Sequence, residues 1–72
     1  MIIMDHVLNA MQPHYEAILN CFIEEQRIGE YKKLTDNPFY EEVKALIDAM
    51  NILRTYLGWE TLTLHQEIIF HL

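Results

Sequence analysis

Hydrophobic side chains recur along this chain at alternating steps of four and three. In the second half the series is Phe39, Val43, Leu46, Met50, Leu53 and Leu57. At about 100° per residue these six share one arc of an α-helix. The pattern predicts a helix over residues 38–57. Asp36 and Asn37 supply capping side chains, Pro38 suits a first helical turn, and Gly58 stands just past the end. Trp59 is then placed to pack back on Leu53 or Arg54. The first half repeats the pattern with Met4, Leu8, Met11, Tyr15, Ile18 and Phe22, widened by Val7, Leu19 and Ile23. This predicts a helix over 4–28, closed by Gly29 and followed by a loop over 29–36.

Pro13 falls inside the first helix, where it removes one backbone hydrogen bond and crowds the carbonyl of Asn9. The apolar phase runs through it unbroken, and Pro13 projects onto the polar side with Asn9, Glu16, Asn20, Glu24 and Arg27. A single helix kinked at Pro13 is therefore expected. The alternative is two helices meeting near Gln12.

The tail from Trp59 to Leu72 fits two periods. Thr63-Leu64-His65-Gln66 has the form of a capping box, and Leu64, Ile68, Ile69 and Leu72 then share a helical face. Leu62, Leu64, Ile68, Phe70 and Leu72 also fit the period of two of a strand. A lone strand has no ladder partner in an otherwise helical chain. A short C-terminal helix is expected, with a hairpin plus a C-terminal strand as the alternative.

The fold class is thus all-α, a single domain over 1–72. The expected architecture is an antiparallel helical hairpin plus the short tail, dimerising into a bundle. The dimer rests on the second helix. Beside its main seam runs a second stripe, Ala45, Ala49, Ile52 and Tyr56, about 110° away. Ile47 lies on the other flank, and the polar strip of Glu41, Lys44, Asp48, Asn51 and Thr55 is narrow. About 220° of this helix is apolar or small, where a surface helix needs little over 100°. A chain of this mass exposes about 4,700 Å² when folded, and burial barely offsets the entropy of ordering. The stripe Ala45, Ala49, Ile52 and Tyr56 is the expected homodimer interface.

Composition narrows the chemistry. The chain has 72 residues, 51% hydrophobic, with eleven Asp and Glu against five Lys and Arg. That length excludes a two-domain enzyme or a doubly wound nucleotide fold. There is no Ser. One Cys forms no disulfide framework, and Cys21 has only Asn20, Phe22, Glu24 and Glu25 nearby, nothing that would stabilise a thiolate. It is expected at the margin of the apolar face, half-buried or buried. His6, His14, His65 and His71 are not at ligand spacing, and no Glu-x-x-His pair is present. No Gly-rich phosphate loop occurs. No catalytic, cofactor or metal site is expected, and the chain is read as no enzyme.

Arg27, Lys32, Lys33, Lys44 and Arg54 are outnumbered two to one by acids, which argues against direct nucleic-acid binding. The longest apolar run is about four residues against the ~20 that span a bilayer, and the N-terminus has no signal-peptide form. No membrane association and a cytoplasmic location are expected.

The acids cluster around the loop. Glu24, Glu25, Glu30, Asp36, Glu41 and Glu42 are six of the eleven, flanked by Tyr31, Phe39 and Tyr40. Glu41 and Glu42 suit the first turn of a helix, whereas Glu24 and Glu25 oppose the dipole near the end of one. These residues suggest a docking end for a partner protein, a basic or nucleic-acid-binding one. The expected partner-binding set is Glu24, Glu25, Glu30, Tyr31, Asp36, Tyr40, Glu41 and Glu42. The function expected is a small acidic adaptor or inhibitor, with a structural or assembly subunit as the alternative. A third reading, a small-molecule binder, requires a pocket lined by Met11, Tyr15, Met50 and Tyr56.

Overall fold

The computed structural model describes residues 3–71, which form three α-helices and no strand. Helix α1 spans Met4–Ile28, α2 Tyr40–Leu57 and α3 Leu64–His71. A 3-10 turn, Leu34–Asp36, interrupts the loop between α1 and α2. The tail is helical, so its alternative as a strand is overturned. Leu72, assigned to the apolar face of the tail, lies outside the described residues.

Pro13 stands inside one continuous α1, and no break occurs near Gln12. It is solvent-exposed, as is Asn9, whose carbonyl it cannot bond. The core is built by Leu8, Tyr15, Leu19 and Phe22 of α1 against Val43, Ile47 and Met50 of α2. Here the seam differs from the expected one: Ile47 is buried and Leu46 only partly so. With Val43 as reference, Ile47 and Met50 lie within about 40° of it and Leu46 about 60° away. The buried arc of α2 is thus centred nearer Ile47 than Leu46.

The start of α2 also differs. It begins at Tyr40, two residues later than the Pro38 signal predicts. The Asn37 side chain makes the bond of a capping residue, but Pro38 and Phe39 after it form a turn rather than α-helix. The Asn37 Oδ1 accepts the Phe39 N–H at 2.9 Å, and its carbonyl accepts the Tyr40 N–H at 3.0 Å. Asn37 thus closes a turn on itself, with Pro38 inside it.

The other end of α2 follows its signal. Gly58 takes the left-handed conformation at φ 75°, a strained one for any side-chain-bearing residue. Its N–H bonds to the Thr55 carbonyl and the Trp59 N–H to the Arg54 carbonyl, the paired bonds of a Schellman motif. Trp59 packs back as expected, with the Arg54 guanidinium 5.6 Å from its ring centroid.

What returns the tail to the body is Asn51. Its Nδ2 donates to the Leu62 carbonyl at 2.8 Å and its Oδ1 accepts the Leu62 N–H at 2.7 Å. This two-bond clamp sets Leu62, Leu64 and Ile68 against the core. The Thr63 hydroxyl accepts the Gln66 N–H, half of the anticipated capping box. From α3, Glu67 accepts a 2.5 Å hydrogen bond from the hydroxyl of Tyr15, which is buried.

Burial and the bond to Glu67 push the Tyr15 phenol well above the ordinary tyrosine range. Above pH ~10 the unfolded chain releases this proton while the folded one retains it. The stabilising effect is therefore complete below pH ~10 and is lost as pH rises, by about 1.4 kcal/mol per unit. Urea titrations from neutral pH to pH 11.5 should show this decline. Tyr15→Phe should be less stable at pH 7 by about 1–2 kcal/mol and show a shallower alkaline slope. An unchanged slope would remove Tyr15 as its cause.

Candidate partner-docking end

The loop end of the molecule is built from the last turns of α1, the segment 29–39 and the first turn of α2. Gly29 ends α1 in an extended conformation, so no unusual backbone angle requires glycine there. Space does: a Cβ would overlap the ring of Tyr31, which folds back over this position, and press on the Glu25 carbonyl. The Tyr31 hydroxyl donates to Glu25 at 2.6 Å, and that bond raises the Tyr31 pKa.

Asn37 fixes the loop from inside. It is 3% exposed, and its Nδ2 donates to the Phe22 carbonyl at 3.0 Å and to Gln26 Oε1 at 3.1 Å. With its Oδ1 bonded to the Phe39 N–H, the buried amide is fully used. A loop tied this way is a preformed surface rather than a floppy one.

Of the expected partner-binding residues, Glu24, Glu30, Asp36, Glu41 and Glu42 are exposed, and Glu25, Tyr31 and Tyr40 are half-buried. The structure brings them to one end of the molecule, but they are not equivalent. Glu24 pairs with Arg27 one turn on, and Glu25 accepts from Tyr31. The two carboxylates that oppose the α1 dipole are thus offset within the chain, Glu24 by Arg27 and Glu25 by the Tyr31 hydroxyl. Glu42 lies 4.0 Å from His14 across the helix pair. Glu30, Asp36 and Glu41 are exposed, and so are two apolar residues of the same loop end, Ile28 at 63% and Leu34. Arg27, Lys32 and Lys33 are interleaved, leaving six acids against three cations between Glu24 and Glu42.

Cys21 is exposed, not sheltered as expected. It faces a shallow groove with Asn20, Glu24, Glu25 and Phe39. The core arc passes between Leu19 and Phe22 and leaves position 21 outside it.

The stripe of α2 lies on the far side from the core. Ala45 and Ala49 are exposed, as are Ile52 at 61% and Tyr56 at 75%. The tail leaves them open because Asn51 holds it on another flank, where Leu62, Leu64 and Ile68 pack against the core. The small-molecule pocket is not formed: Tyr15 and Met50 are packed in the core, while Tyr56 points to solvent. Among the described residues no three His, Cys, Asp or Glu side chains converge as a metal site, and no helix is long and apolar enough to cross a membrane.

Of the two asparagines that position this end and the tail, Asn37 is marked in sequence only as a capping residue, although Asp-Asn-Pro is a turn signal as much as a cap. Asn51 sits on the polar strip and carries no signal in sequence. No protein-family model matches this chain, and neither a curated protein nor a solved structure does.

Proposed function

We propose that this chain is a non-enzymatic interaction module, a small acidic adaptor or inhibitor that docks its loop end on a basic site of another protein. The observation that carries the reading is the loop end fastened by Asn37, which exposes Glu30, Asp36 and Glu41 together with Ile28 and Leu34. Exposed carboxylates and apolar side chains at one end suit a partner that offers Lys or Arg around a hydrophobic contact. The reading takes the molecule as an antiparallel hairpin, supported by Asn37 reaching Phe22 and Glu42 nearing His14, with α1 bent at Pro13. It also takes the location as cytoplasmic and excludes direct nucleic-acid contact, in keeping with the net charge of −6.

Because Glu24 and Glu25 have internal partners, the test belongs on Glu30 and Asp36. Affinity capture from the host, followed by mass spectrometry, should recover a basic protein. Glu30→Lys with Asp36→Lys should weaken that capture about tenfold or more, with a melting temperature close to the parent's. Capture that is indifferent both to this variant and to salt would sink the electrostatic reading.

A second reading, a structural or assembly subunit whose apolar faces build a homo-oligomer, is favoured by the open stripe of α2. A large defined oligomer that tolerates the acid variants would support it.

A further inference from the structure

We infer that the outer face of α2 is the contact surface of a twofold, antiparallel dimer of this chain. The inference deepens the self-association reading, on which it rests, and leaves the loop end free. Ala45, Ala49, Ile52 and Tyr56 occupy an arc of about 60° on the side of α2 turned away from α1. Two large side chains on adjacent turns, Ile52 and Tyr56, stand mostly in water there.

The occupant follows from the order of sizes. The spacing is four, three, four, which reads the same in either direction. Laid antiparallel on a second copy, about an axis between Met50 and Asn51, Tyr56 of one copy meets Ala45 of the other. Ile52 likewise meets Ala49. Symmetry repeats both contacts, so each bulky side chain faces a small one. Parallel pairing would set Tyr56 on Tyr56 and Ala45 on Ala45, crowding one end and emptying the other. The margins agree with the antiparallel register. Leu46 and Leu53, each only partly buried in the single chain, come together on one edge. On the other edge Thr55 can donate its hydroxyl to Asp48 of the second copy.

Charge selects the same occupant. From Lys44 to Tyr56 the formal charges are Lys44, Asp48 and Arg54 alone, while six of the eleven acids lie between Glu24 and Glu42. A basic partner gains little at this face, and a second copy meets little repulsion. The antiparallel arrangement also sends the two acidic ends apart and opposes the two helix dipoles. The result is a bivalent module with a docking end at each extremity. A face along an 18-residue helix, about 27 Å long, is at the small end for specific interfaces. The dimer is accordingly weak, half-formed at a concentration on the order of 100 µM.

Sedimentation of the full chain from about 1 µM to about 1 mM tests this. The mass should rise from 8.6 kDa toward twice that value. Ile52→Lys should weaken association at least about tenfold, and Ala49→Leu should too, because it overfills the position facing Ile52. Both positions are exposed in the single chain, so circular dichroism should remain unchanged. In a Cys21→Ser background, Ala45→Cys mixed with Tyr56→Cys should form disulfides between unlike copies in preference to like ones. Monomer mass throughout, or like-with-like cross-links, overturns the inference. If the chain stays monomeric while capture through the loop end persists, the dimer alone fails. If Glu30→Lys with Asp36→Lys abolishes capture and the dimer remains, this inference stands on its own.

Discussion

Asn37→Asp should destabilise the protein by about 3–4 kcal/mol at pH 7, although it changes one NH2 group to an oxygen. The buried amide donates to the Phe22 carbonyl and to Gln26 and accepts from the Phe39 N–H. An aspartate keeps only the last of these. Gln26 can turn its amide over and donate, but the Phe22 carbonyl cannot, and a carboxylate would be held against it without water. The cost is that of an uncompensated buried charge. In a 72-residue domain, whose whole stability is on the order of 4–11 kcal/mol, such a loss removes a large share of it.

The pH dependence makes this mechanism specific. The introduced carboxyl should have a raised pKa in the folded state, so the folded chain holds its proton more firmly than the unfolded one. Its penalty is then greatest at neutral pH and shrinks as pH falls toward the ordinary carboxylate range near 4. Urea denaturation at pH 7 and pH 4.5 should show Asn37→Asp recovering relative to the parent chain. Asn37→Leu should be destabilised without such recovery. Equal losses at both pH values for Asn37→Asp would rule out the buried charge as the cause.

Phe22→Ala should cost about 3–5 kcal/mol. Phe22 is 0% exposed, its ring packs between α1 and α2, and Ile68 of α3 borders the same spot. All three helices therefore lose contacts when the ring is removed. Phe22→Leu, which keeps most of the volume, should lose less than about 1.5 kcal/mol. Ile52→Ala on the open side of α2 offers the contrast. In dilute solution, where the chain is monomeric, it should change stability by no more than about 0.5 kcal/mol. Thermal or urea unfolding of the three variants at low concentration checks the series. A Phe22→Ala chain as stable as the parent would mean that the core is not centred where the burial places it.

Much of the fold was legible because helix signals are local. The steps of four and three marked α1 and α2, Gly58 marked the end of α2, and Thr63 with Gln66 marked the start of α3. Each concerns hydrogen bonds or side chains within about one turn. The misreadings are of another kind. Leu46 and Ile47 are adjacent, similar in size and about equally compatible with the seam, so only the packing of a third segment could choose between them. Asn37 reads as a cap until its side chain is found bonding inward to α1. Arg27 is within one turn of Glu24 and legible as its partner, whereas the fold-back of Tyr31 onto Glu25 is not. The docking set was legible as a cluster, since its members flank one loop, but its division into bonded and outward carboxylates was not.

By itself the sequence determined that this chain is helical, where its helices run, that its acids gather at one loop, and that α2 carries more apolar surface than one neighbour can cover. Periodicity, composition and local hydrogen bonding suffice for those. Which flank of α2 the tail covers, and which stays exposed, follows instead from contacts between distant segments. Two bonds from Asn51 to the backbone of Leu62 hold the tail on the Asn51 flank, and Ala45, Ala49, Ile52 and Tyr56 stay in solvent. That choice joins residues eleven positions apart through one side chain, and no periodic pattern of polar and apolar residues records it.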